Sequence, residues 1–77
     1  PSVVRSGDLT LAVATGGAAP ALARRIREKL EGEFDAAFAD WLRVLAEVRV
    51  VVLAEVPDAD RRRELLDSFA DWPWLAR

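Results

Sequence analysis

Large and small side chains alternate from Leu9 to Ala14. Leu9, Leu11 and Val13 fall on one face of an extended chain, and Thr10, Ala12 and Ala14 fall on the other. Such alternation, ending at the pair Gly16-Gly17, predicts a half-buried β-strand. Ser2, Val3 and Val4 are compatible with pairing, and Ser6-Gly7-Asp8 reads as a turn. A hairpin of Val3–Arg5 with Leu9–Ala14 is therefore expected, with a register that the pattern does not fix. Pro20 suits the first turn of a helix, where a missing N–H costs nothing. From Ala21 to Glu31 the period changes, and Leu22, Ile26 and Leu30 form one helical stripe.

Gly32 is the expected C-terminal glycine of that helix. Asp35 is placed to cap a second helix, in which Phe38, Trp41, Leu42, Leu45 and Val48 follow at spacings of three and four. The β-branched run from Val48 to Val56 is compatible with a strand. The stripe enters it without a turn residue, however, so the helix is expected to continue to about Val56. Pro57 breaks the chain and Asp58 caps a third helix, Ala59 to Ala70, with Leu65, Leu66 and Phe69 on one side. The predicted class is α+β, mostly helical: a short strand or β-hairpin, a glycine turn, then three helices. A boundary near Gly32 divides a strand–turn–helix segment, residues 1–32, from a helical segment, residues 33–77.

Composition changes this picture in one respect. The chain has 77 residues, 52% of them hydrophobic, and a core of that size is marginal alone. The apolar excess favours burial against a partner, and the Trp72 and Trp74 of the tail are expected to pack into the helical core or a subunit interface. Without methionine, the chain reads as a piece of a longer one. Without cysteine or histidine, it offers no disulfide, no thiolate or imidazole metal ligand and no imidazole base. No metal site is expected. The longest apolar run, Val50 to Ala54, is too short to span a membrane. With no signal-peptide pattern, a cytoplasmic location is expected. Net charge is -2 with acids and bases interspersed, which gives no overall field for nucleic acid. Arg61, Arg62 and Arg63 lack aromatic interleaving and read as a solvated face.

Candidate chemistry concentrates at Thr15-Gly16-Gly17. Free N–H groups at a helix N-terminus bind anions, and Arg24 and Arg25 lie one turn further along. The same residues are also compatible with a simple tight turn followed by a solvated basic face. Asp8 reads as a turn residue. No third glycine follows at dinucleotide-fingerprint spacing, and no Gly-Lys-Ser/Thr follows the turn, which excludes a P-loop.

The segment VVRSGDLTLAVATGGAAPALARRIREKLE resembles the central part of siroheme synthases and precorrin-2 dehydrogenases. The shared pattern is an Arg, Gly-Asp-Leu, an apolar strand, Thr/Ser-Gly-Gly, two small residues, Pro, then Ala-Leu-Ala-Arg and a helix ending in Glu. The rest of the chain is similar in helical character and charge. The resemblance implies NAD-dependent oxidation of precorrin-2 to sirohydrochlorin, with iron insertion in some members. It also implies that NAD and the catalytic aspartate belong to a domain upstream, so no catalytic residue is expected here and Asp8 inherits no such role. By the same resemblance the helical segment dimerises, two subunits interlock as a homodimer, and the tetrapyrrole lies between this region and the nucleotide domain. Thr15, Gly16 and Gly17, with Arg24 and Arg25, are then expected to bind substrate carboxylates. Family members usually carry a serine just before the proline, where this chain has Ala19, and often a lysine or threonine before that, where it has Ala18. The hydroxyl that would cap the helix is missing, whereas the backbone role is kept.

Two other readings compete with that one. The chain is also compatible with a purely structural dimerisation module, or with an unrelated anion-binding strand–turn–helix.

Overall fold

The computed structural model describes residues 2–71, which form two strands and three helices: β1 (Ser2–Ser6), β2 (Leu9–Val13), α1 (Pro20–Glu33), α2 (Ala36–Glu55) and α3 (Ala59–Phe69). The expected class, a hairpin followed by three helices, is observed. Trp72 and Trp74 lie outside the described residues. The chain divides into two compact units, Pro1–Leu42 and Arg43–Arg77, and α2 runs through the division.

In the first unit β1 and β2 pair antiparallel, with Ser2 opposite Val13, Val4 opposite Leu11 and Ser6 opposite Leu9. These pairs share one face of the ribbon. Val4 is fully buried, Ser6 is buried, and Leu9, Leu11 and Val13 are half-buried. The strand β1 thus runs one residue beyond the expected Arg5, and the loop shrinks to Gly7-Asp8. Gly7 has φ +59, whereas Asp8 does not have positive φ, as a type II′ hairpin turn requires.

A two-stranded hairpin is marginal alone, and this one is held from two sides. Helix α1 packs against both strands through Ala23, its buried residue. At the hairpin tip the Ser6 hydroxyl donates to the Asp35 carbonyl at 2.8 Å, and a Cβ on Gly7 would lie 3.3 Å from that of Ala39. Asp35 also starts α2. Its carboxylate accepts from the Phe38 N–H at 3.1 Å, and its carbonyl accepts from the Ala39 N–H at 3.1 Å. Phe38 is buried, meeting Phe34 edge-on at 5.0 Å and Trp41 at 5.6 Å. Aromatic pairs in such geometries add to the stabilisation from burial.

Two expectations are corrected here. Gly32 does not end α1; it lies within the helix, which closes at Phe34, whose N–H donates to the Leu30 carbonyl. Of the expected stripe of Leu22, Ile26 and Leu30, only Leu30 is half-buried and the other two are exposed. Leu22 is 53% exposed and Ile26 37%, and the small Ala23 meets the sheet instead. A close helix–hairpin approach selects the small side chain and turns the larger ones outward.

In the second unit the β-branched run is helical, as expected, and α2 ends at Glu55. Val48 and Val52, one turn apart, face α3 residues Leu65 and Phe69 across an apolar groove of about 350 Å³. Asp58 caps α3, accepting from the N–H groups of Asp60 and Arg61, so Pro57-Asp58 separates the two helices as read from the sequence.

Two stability predictions follow. Ser6→Ala removes a buried hydroxyl donor from the hairpin tip and should destabilise the chain by about 1 kcal/mol. Gly32 is helical with open space where a Cβ would stand, so Gly32→Ala should stabilise by about 0.5–1 kcal/mol. Urea denaturation of the two variants checks both. A destabilising Gly32→Ala would mean that this glycine serves as a helix stop after all.

Candidate functional site

At the open end of the hairpin, β2 gives way to six residues that lead into α1. A cavity of about 590 Å³ lies there, lined by Ser2, Val13, Ala14, Thr15, Gly16, Gly17, Pro20 and Ala23. The register explains the presence of Ser2, which the sequence could not supply: Ser2 stands opposite Val13. No charged side chain is among the described lining residues.

The turn is built on two left-handed glycines, Gly16 at φ +63 and Gly17 at φ +78. A non-glycine residue in that region costs about 1–2 kcal/mol. A Cβ on either glycine would meet no described residue within 4 Å, so none of these crowds the turn. Backbone conformation selects glycine here, and the space beside it is open.

Thr15 closes the turn twice. Its carbonyl accepts from the Ala18 N–H at 3.1 Å, and its hydroxyl accepts from the Ala19 N–H at 3.2 Å. Ala19 is the N-cap of α1 and provides no side-chain cap; the first turn contains no acidic residue. The first helical hydrogen bond runs from the Ala23 N–H to the Ala19 carbonyl. Pro20 has no N–H, and those of Ala21 and Leu22 have no acceptor among the described residues. The positive end of the helix dipole, which adjoins the cavity at Pro20, therefore has no acidic counter-charge in its first turn.

The structure brings Thr15, Gly16 and Gly17 to one cavity. It does not bring Arg24 and Arg25 into its lining. Arg24 lies 3.9 Å from Glu28 with its side chain exposed, and Arg25 is an exposed residue of the same helix. The nearby Arg27 pairs with Glu31 at 2.7 Å. Of the later arginines, Arg61 pairs with Glu64 and Arg63 with Asp60, all exposed; such pairs add little stability. Among the described residues no group of His, Cys, Asp or Glu is arranged to hold a metal ion. No described helix is long and apolar enough to cross a membrane.

Comparison with known proteins places this geometry in context. Residues 6–33 match the family described as "Sirohaem biosynthesis protein central", a span that runs from the end of β1 through the glycine turn to the end of α1. The chain is 41% identical, over 95% of its length, to a siroheme synthase of Gluconacetobacter diazotrophicus, covering 16% of that protein. It is 37% identical over its full length to a siroheme synthase of Pseudomonas entomophila, covering 17% of it. A precorrin-2 dehydrogenase of Priestia megaterium is 34% identical over 92% of the chain, which covers 35% of that enzyme. No solved structure matches the chain significantly. The chain thus spans a small part of the length of its curated relatives. Residues 6–33 thus match the model of a sirohaem biosynthesis central segment, and the chain that carries them is similar over nearly its whole length to siroheme synthases and precorrin-2 dehydrogenases.

Proposed function

We propose that this chain is the central and dimerisation region of an NAD-dependent precorrin-2 dehydrogenase of the siroheme synthase type, acting in the cytoplasm to convert precorrin-2 to sirohydrochlorin. Residues 1–32 supply the substrate side and residues 33–77 the dimer contact. The observation that carries this reading is the cavity at the glycine turn, whose described lining residues other than Ser2 belong to the segment matched to the family. The N–H groups of Ala21 and Leu22 beside it, without acceptors among the described residues, suit a carboxylate arm of a tetrapyrrole. Arg24 and Arg25 then serve the parts of the ligand that extend beyond the cavity.

The residues here do not fit NAD. The glycine turn lacks the third glycine of a dinucleotide fingerprint, and no acidic side chain is among the described lining residues to hold a ribose. Hydride transfer is accordingly assigned to a part of the enzyme that this chain does not include, and the chain on its own should be inactive.

A homodimer is supported by the apolar surface left open. In the second unit, Val50 is 68% exposed, Val51 58% and Leu53 45%. Exposed apolar side chains that extend round a helix beyond one stripe are the mark of a helix buried in something larger. Pairing two copies would cover them.

Sedimentation with sirohydrochlorin tests the reading. The wild-type chain should sediment as a dimer that carries the pigment. Gly16→Val with Gly17→Val should keep the dimer and the helical circular dichroism while losing the pigment. Val50→Asp with Leu53→Asp should yield monomers. A folded wild-type monomer that leaves the pigment free would contradict both assignments.

A further inference from the structure

We infer that residues 48–56 are a self-complementary strand segment, helical in this fold, that pairs antiparallel with the same segment of a second copy once α2 opens. Five of the nine residues, VRVVVLAEV, are valine, and none is proline or glycine. One arginine and one glutamate leave the stretch without net charge. Short stretches of this kind readily stack as strands between copies. The pairing does not depend on the tetrapyrrole site, and it competes with the helix-to-helix contact proposed above.

Charge selects one register. Arg49 and Glu55 stand three residues either side of Val52. In an antiparallel pair centred on Val52, Arg49 of one copy faces Glu55 of the other, at both ends. Val51 then faces Leu53, Val50 faces Ala54 and Val48 faces Val56. Opposite charges that face each other stabilise such a ladder, and like charges destabilise it. Parallel in-register stacking would instead set Arg49 on Arg49 and Glu55 on Glu55. Because side chains alternate along a strand, Val48, Val50, Val52, Ala54 and Val56 share one wholly apolar face.

The helix makes no use of these two charges. Neither Arg49 nor Glu55 has an opposite charge three or four positions away, the spacing at which helical ion pairs form. Neither forms a salt bridge or side-chain hydrogen bond among the described residues. Glu55 ends α2, whose last turn has no basic residue, so its charge opposes the helix dipole. Val52 is buried, Val48 and Val56 are half-buried, and the other six residues are exposed. Valine is also stiffened in a helix and well suited to a strand. The helical state of this segment therefore rests on few contacts, chiefly those of Val48 and Val52 at the groove with Leu65 and Phe69.

The test follows the full chain in urea near its unfolding midpoint, with thioflavin fluorescence for assembly and infrared spectroscopy for strand direction. Each variant is held at the same unfolded fraction by circular dichroism. Wild type should assemble with the split amide bands of antiparallel strands. Arg49→Glu sets like charges opposite each other and should lengthen the lag about fivefold, as should Glu55→Arg. The double variant, Arg49→Glu with Glu55→Arg, restores both pairs in reverse and should recover the wild-type lag. That recovery separates register from helix stability, because the double variant keeps the arginine that favours the helix end. A double variant as slow as the single ones would overturn the inference. So would assembly that neither single change slows, parallel strands, or a wild-type chain that does not assemble.

Discussion

The hydroxyl of Ser6 on the carbonyl of Asp35 is the contact on which the first unit depends. A lone hairpin has too little buried surface to persist, and this bond ties its tip to the residue that begins α2. Asp35 meets three donors: Ser6 and Ala39 at its carbonyl, and Phe38 at its carboxylate. Loss of any one weakens a junction that sets both the hairpin and the helix. With the tip fixed and α1 lying on the ribbon through Ala23, the opposite end of the hairpin is left open. There the chain must turn from β2 into α1, and the cavity forms around that turn.

The turn itself is a compromise between backbone strain and access. Two consecutive left-handed residues allow a strand to pass into a helix within six residues, and only glycine takes that path cheaply. Because no described residue fills the space beside them, the glycines leave the backbone open to a ligand. The same economy governs α1, where Ala23 meets the sheet and Leu22 and Ile26 remain outside. In the second unit α2 shows apolar side chains on more than one face. Both features describe a chain in which few described apolar residues are buried, Val4, Ala23 and Phe38 in the first unit and Val52 in the second.

Much of this was legible in the sequence. Alternation at Leu9, Leu11 and Val13 gave the strand and its inward face, and Asp35 and Asp58 marked helix starts that the structure shows as capped. The unbroken apolar stripe correctly carried α2 through a valine run that local propensity would favour as a strand. Other features depend on contacts that no local pattern encodes. Ser2 enters the cavity only because the register sets it opposite Val13. Gly32 reads as a helix stop, yet the Phe34 N–H closes the helix two residues later. Arg24 and Arg25 are near the turn in sequence but outside the cavity lining, because the helix carries them past it. The double closure by Thr15 was invisible as well, since it required knowing that the turn folds back on Ala18 and Ala19.

The most direct measurement is a crystal structure of this chain with sirohydrochlorin bound. The account predicts two copies joined through α2, with a pigment carboxylate within hydrogen-bonding distance of the Thr15 hydroxyl and the N–H groups at the start of α1. A pigment seated elsewhere, with the glycine-turn cavity filled only by water, would contradict it.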